Sequence, residues 1–290
     1  MMKNEISRES IVNLTYQGNV AILTLNNPES LNSLSLDAIK TLLVQLNQLS
    51  NNTRVRVLLV TGAGRGFCSG WQLDESGVPG LPDESFGVRQ AHLMAEYFNP
   101  VIQAFHDVPF PTIAAVNGVS AGAGVSLALA CDVAFAADSA SFLLTFTPKL
   151  GLVPDLGASW KLPRLIGWAR AQAITLSGER ISAQQAEEWG MIWRKTSDQS
   201  LLPEAMNLAQ RLAQSPPGMG REVRHCYHMA QINGLPAQME YERLRQRELL
   251  DTPSFEEGLR AFQEKRSPKF PPPRIIRTSR KSVDTLYNAA

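Results

Sequence analysis

A chain of 290 residues with a formal net charge of +1 is long enough to bury a sizeable core, and it carries no overall field favouring nucleic acid. Cys68, Cys131 and Cys226 are too widely spaced for a zinc or redox pair, and an odd number suits a reducing cytoplasm. His92, His106, His225 and His228 have no metal-motif spacing, and no long apolar segment opens the chain. The least polar run, 119–137, contains Gly122, Gly124 and Asp132 and reads as core rather than membrane.

Two β-rich runs, 11–16 and 20–25, flank Gln17-Gly18-Asn19 and predict a hairpin. Ser35 then caps a helix to about residue 49, with Leu36, Ile39, Leu42, Leu43, Leu46 and Leu49 on one face. A strand over 55–60 runs into Thr61-Gly62-Ala63-Gly64-Arg65-Gly66-Phe67-Cys68-Ser69-Gly70-Trp71-Gln72-Leu73. This glycine-rich turn has neither the G-K-[ST] ending of a P-loop nor the third glycine of the dinucleotide fingerprint, so a nucleotide-cofactor reading is weak. Residues 74–86 are rich in Gly, Pro and Ser and read as a loop or lid, followed by a helix from about 88 to 106.

The strand at 111–116 opens a second glycine-rich turn, Asn117-Gly118-Val119-Ser120-Ala121-Gly122-Ala123-Gly124, which enters a helix apolar on every face over 125–130. Strands follow over 132–137 and 141–146, so strands and helices alternate, as in an α/β fold with parallel strands. Asp155 is a lone acid among Pro and Gly before a helix, equally readable as a helix cap. The chain is expected to be wholly helical from there, through 182–190, 201–214, 219–232, 236–250 and 255–265, with a proline-rich, basic tail beyond 270.

A glycine turn at a helix start lets a ligand approach unpaired N–H groups at the positive end of the helix dipole. The second turn therefore suits an anion, or an oxygen on which negative charge develops. It also matches G-x-S-x-G, the nucleophile elbow of serine hydrolases, with Ser120 as nucleophile and Asp198 and His225 as partners. Tight packing of small residues is the third reading; in it Ser120 is structural, its hydroxyl bonded to nearby backbone.

Two such turns, each after an apolar strand, suggest a pair of backbone donors converging on one oxygen. Over about residues 11–270 the chain resembles the crotonase (enoyl-CoA hydratase/isomerase) superfamily. The resemblance rests on Phe67-Cys-Ser-Gly70-Trp-Gln-Leu73, on Asn117-Gly through Cys131-Asp132, on Gly151-Leu-Val-Pro154, and on Glu257-Gly258 to Arg266-Ser-Pro268. It implies a spiral of ββα units over 1–200 and a helical trimerisation region over 201–270; the proline-rich, basic composition of 271–290 reads as a disordered tail. It also implies a homo-trimer or hexamer acting on an acyl-CoA thioester, with coenzyme A as part of the substrate and no cofactor, membrane or nucleic-acid partner. The Trp71 and Ala123 N–H groups would hold the thioester oxygen, next to Gly70 and Gly122. Ala63, Gly64, Gly66, Phe67 and Cys68 would lie along the nucleotide of coenzyme A. Phe262 and Lys265 would approach that nucleotide from a neighbouring subunit.

The departures narrow the expected activity. Hydratases of the family carry one glutamate where this chain has Ser126 and a second near Thr147, within one residue around Pro148; addition of water needs such a pair. The family's isomerases use an aspartate in the segment matched by Asp155. Its dehalogenases add a histidine at a place matched by Asn99. Tyr97-Phe-Asn-Pro100, Gly122-Ala-Gly124, Gly151-Leu-Val-Pro-Asp155 and Glu188-Trp-Gly-Met-Ile-Trp193 resemble the phenylacetate-pathway isomerases that convert ring-1,2-epoxyphenylacetyl-CoA to oxepin-CoA. The expectation is an acyl-CoA isomerase with Asp155 as proton shuttle. The alternatives are a hydratase, a serine hydrolase using Ser120, or a non-catalytic CoA-binding scaffold.

Overall fold

The computed structural model describes residues 10–72, 78–81 and 83–272. Residues 74–77 and 82 of the expected lid and nearly all of the proline-rich tail lie outside that range. A hairpin of β1 (Val12–Gln17) and β2 (Val20–Leu25) turns on Gly18, at φ +60°, and is the antiparallel edge of a six-stranded sheet. The sheet continues in parallel through β3 (Val57–Gly62), β5 (Thr112–Val116), β7 (Val133–Ala137) and β10 (Arg194–Thr196). A second sheet is built from very short strands: β4 (Gly66–Cys68), β6 (Val119–Ala121), β8 (Ser141–Leu143) and β9 (Ile181–Ser182). The pairs β3–β4, β5–β6 and β7–β8 each place one strand in each sheet before a helix returns the chain, which is the expected spiral of ββα units.

Several expectations change at the level of elements. The strand expected over 141–146 stops at Leu143, and Phe146–Leu150 forms a helix, α5. The region expected to be wholly helical contains β9 and β10, two or three residues each. Their evidence is backbone pairing with β8 and β7, and no side-chain period marks strands so short. The helix expected over 88–106 is α2 (Phe86–Leu93), a π-helical turn (Met94–Phe98) and α3 (Asn99–Asp107). Pro100 has no N–H to offer the Glu96 carbonyl, which accounts for the wider turn.

α1 (Leu36–Ser50) is capped by Ser35, whose hydroxyl accepts from the Ala38 N–H at 3.2 Å, and it buries Ala38, Ile39, Leu42, Leu46 and Leu49. α4 (Ala123–Ala130) is buried at all eight positions, so it is the centre of the molecule rather than an amphipathic surface element. α6 (Ala158–Ile166), α7 (Trp168–Ser177) and α8 (Ala183–Glu188) follow. α9 (Leu201–Leu212) sets Leu201, Ala205 and Ala209 against β3 and β5, so the packed core runs past the boundary expected at residue 200. α10 (Met219–Ala230), α11 (Leu235–Leu250) and α12 (Pro253–Gln263) bury far less, and leave Tyr227, Leu235, Met239 and Phe262 more than half exposed.

Candidate active site

The two glycine-rich turns lie against each other with no room for side chains. A Cβ on Gly124 would stand 2.2 Å from the Cys68 carbonyl oxygen, and one on Gly118 would stand 2.1 Å from that of Arg65. Gly70 adopts φ +98°, and a Cβ there would meet the Ala121 oxygen at 2.7 Å and the Ala123 nitrogen at 3.4 Å. The start of α4 and the residue before Trp71 are therefore in backbone contact. Leu34 pairs with the flanks of Trp71, donating to the Gly70 oxygen and accepting from the Gln72 N–H, so the Trp71 N–H points away from it. Among the described residues neither the Trp71 nor the Ala123 N–H enters a turn, loop or cap hydrogen bond. The indole of Trp71 stands edge-on to Phe98 of the π turn at 4.5 Å, so the irregular helix also borders this place.

Two asparagines knit the first turn. Asn32, buried, donates to the Ala63 and Gly66 oxygens at 2.9 and 2.7 Å. Asn117 accepts from the Gly62 N–H at 3.0 Å and donates to the Gly64 oxygen at 2.9 Å.

Asp155 follows the helix turn of α5 and its left-handed C-cap, Gly151. Leu156, directly after it, is a buried residue at φ +49°, and Gly157 at φ +77° is the residue that caps α6. A left-handed leucine is costly and needs a surrounding structure that holds it. The Asp155 carbonyl accepts from the Ala158 N–H at 2.9 Å and from the Ser126 hydroxyl at 3.1 Å. Ser126 lies three residues along α4 from Ala123, on the same face, so one helix both presents Ala123 and anchors Asp155. The carboxyl oxygen Oδ1 of Asp155 is buried with no hydrogen-bond partner among the described residues, and burial raises the pKa of this group above the ordinary 3.8. The helix-cap reading fails, because Gly157 holds the cap position and the carboxylate does not serve it.

The family model described as Enoyl-CoA hydratase/isomerase matches residues 15–272. The chain belongs to the enoyl-CoA hydratase/isomerase family. It is 43% identical over 253 residues to the 1,2-epoxyphenylacetyl-CoA isomerase of Escherichia coli K12, covering 87% of this chain and 94% of that one. It is 39% identical over 251 residues to a probable enoyl-CoA hydratase of Rhodobacter capsulatus, with the same coverage. The crystal structure of an enoyl-CoA hydratase from Bacillus anthracis superposes with a TM-score of 0.82 at 32% identity, over 90% of this chain and 99% of that one.

Within this member of the family, Phe67 and Cys68 are fully buried, and burial pushes the Cys68 thiol up to about 12. Gly66 is buried as well, so of the residues expected along coenzyme A on this turn Gly64 is exposed and Ala63 partly so. Phe262 and Lys265 are not brought to the turns within the chain: they lie exposed at the end of α12, which packs against α11. Ser120 is fully buried in the middle of β6 rather than exposed at an elbow. Its hydroxyl has no partner among the described residues, contrary to the expected bond to nearby backbone. The acid and base proposed for it are engaged elsewhere, Asp198 with the Ser139 N–H at 3.0 Å and His225 stacked on His106 at 5.3 Å.

The histidine spacing also hid a cluster. α3 and α10 bring ligand atoms of His106, Asp107 and His225 within 4.8 Å of one another. The two rings are 26° from parallel, so their in-plane lone pairs do not meet at one point in this arrangement.

Proposed function

We propose that the protein is an acyl-CoA isomerase in which Asp155 moves a proton while the Trp71 and Ala123 N–H groups hold the thioester oxygen. The observation that carries this reading is the unpartnered, buried Oδ1 of Asp155 beside a helix whose first turn offers free donors. Removing a proton next to a thioester carbonyl makes an enolate. Two preorganised donors stabilise its oxygen as charge develops, each worth roughly 10²–10³ in rate. The carboxylate takes the proton from one carbon and returns it to another, which shifts a double bond or opens a strained ring without a second acid. Burial raises the proton affinity of Asp155 toward that of the carbon acid it must serve, as a working base requires.

The hydratase reading lacks its paired carboxylates. The Ser126 hydroxyl donates to the Asp155 carbonyl and the Thr147 hydroxyl donates to the Leu152 carbonyl at 2.8 Å, so neither position supplies an acid. The identity to the E. coli isomerase supports ring-1,2-epoxyphenylacetyl-CoA as a substrate to try first. The purified protein is expected to isomerise that thioester or a cis-3-enoyl-CoA, and to add water to crotonyl-CoA poorly. Rapid hydration with no isomerisation overturns the reading. The exposed apolar residues of α10 to α12 support the trimeric or hexameric assembly, and a monomer by light scattering would remove it.

A further inference from the structure

A cavity of about 420 Å³ opens between α3, α4, α6 and α10, and it shares a wall with the Asp155 loop. Ser126, which holds the Asp155 carbonyl, lines it, and so does Leu156, the residue after Asp155. Ile102, Leu129 and Trp160 make the rest of that wall apolar. A thioester whose reacting carbon lies at Asp155 therefore has a hydrophobic space for the part of its acyl group beyond that carbon.

The cavity is not apolar throughout. Lys161, on the first turn and a half of α6, also lines it. Among the described residues its ammonium makes no ion pair and no hydrogen bond, and burial lowers its pKa from 10.5. The neighbouring charges are already committed. Arg224 donates to the His106 carbonyl at 2.8 Å and pairs with Asp132 at 2.6 Å. Asp132 also accepts from the Thr112 N–H and hydroxyl at 2.8 and 3.0 Å. His228, on the same wall, has a pKa lowered by burial and sits 5.8 Å from the Trp160 ring, so it supplies no anion. The Asp132 carboxylate acts on Lys161 from a distance but is already held by Arg224, so a ligand carboxylate that reached this ammonium would gain a charge-assisted hydrogen bond in apolar surroundings.

We propose that this cavity receives the distal part of the acyl group and that Lys161 selects thioesters whose tail ends in a carboxylate. The placement of the reacting carbon rests on the role given to Asp155 above, while recognition of the tail can be measured without any reaction. Lysine at this position turns an otherwise hydrophobic acyl pocket into one that discriminates by charge.

The test uses saturated thioesters, which the enzyme binds but cannot isomerise: hexanoyl-CoA against adipoyl-CoA, and octanoyl-CoA against suberoyl-CoA. Titration calorimetry on the full chain is expected to show the carboxylate-ended member of at least one pair binding about tenfold more tightly. Lys161→Met should abolish that preference by weakening the dicarboxylic thioester alone, and Lys161→Arg should keep part of it. Undiminished binding of hexanoyl-CoA by Lys161→Met reports that the variant is folded. Equal binding within both pairs in the parent, or a preference that survives Lys161→Met, overturns the proposal. An inactive Asp155→Asn protein that still prefers the carboxylate-ended thioester supports both readings. An active Asp155→Asn protein with the same preference leaves the subsite standing and removes only the proton shuttle.

Discussion

The 66–71 segment meets α4 through backbone contacts that tolerate no side chain, whereas the 151–157 loop meets it through one serine hydroxyl and a leucine in the left-handed region. The first arrangement fixes position. Gly70, Gly118 and Gly124 close the distance between two turns, and Asn32 and Asn117 tie the outer one down. The second leaves a functional group unsatisfied, with Oδ1 of Asp155 buried and its pKa raised. Donors that stabilise developing charge must not move, and in the proposed function they are main-chain groups locked by packing. A base must prefer a proton to its surroundings, and the proposed base, Asp155, is in a place that suits this.

The largest expected effect comes from Asp155→Asn. An amide cannot take the substrate proton, and loss of a general base costs roughly 10²–10⁴ in kcat. Affinity for a saturated thioester should change little, because the backbone donors are untouched. The same variant should melt higher than the parent at neutral pH. A carboxyl whose folded pKa is raised binds its proton more tightly in the native state, so its ionisation costs stability as pH rises past the unfolded value, and asparagine removes that cost. A lower melting temperature would mean that the carboxylate is structural.

Gly124→Ala attacks the other side of the comparison. With a Cβ 2.2 Å from the Cys68 oxygen the turns must separate, and overpacking of this kind costs about 1–3 kcal/mol of stability. Turnover should fall by roughly 10², the value of one misplaced donor, with the acid side of the pH–rate profile unmoved. Wild-type turnover in this variant would show that the apposed turns do not hold the reacting oxygen.

Ser126→Ala removes the link between the two regions. A drop of about three- to tenfold in kcat is expected, of the size of one neutral hydrogen bond, with KM nearly constant and rescue by Ser126→Thr. The parent's activity should be lost on the acid side at a pH above that of an ordinary aspartate, because the base works only when deprotonated. The variant should displace that limb. An unchanged profile would make Ser126 a packing residue. Ser120→Ala should be the mildest change, within about twofold of the parent, since the hydroxyl it removes is buried and unpartnered. Loss of turnover in a folded Ser120→Ala protein would revive the elbow.

Much of this contrast was legible in the sequence because glycine spacing is a backbone signal. Gly118, Gly122 and Gly124 mark a close approach by their spacing alone, and the fully apolar 125–130 marks a buried helix. Asp155 stood out by its Pro and Gly neighbours and by the missing acids at Ser126 and Thr147. The second sheet was not legible from side chains, since strands of two or three residues carry no period. Asn32 was missed because its partners at Ala63 and Gly66 lie more than thirty residues away. The bond from Ser126 to the Asp155 carbonyl, 29 residues on, likewise has no local sequence signal. Nothing in its sequence neighbours singles out Lys161; the packing of α3, α4 and α10 around it leaves its charge without an ion-pair partner among the described residues.

The most direct test of the account is exchange of the α-protons of a saturated acyl-CoA thioester in deuterium oxide, followed by mass spectrometry at saturating enzyme. This reads proton transfer alone, with no double-bond shift, hydration or product release in the way. The parent protein is expected to wash deuterium into the α-carbon, and Asp155→Asn to do so at least about a hundredfold more slowly at equal occupancy. Equal exchange by the two proteins would contradict the assignment of Asp155 as the group that moves the proton.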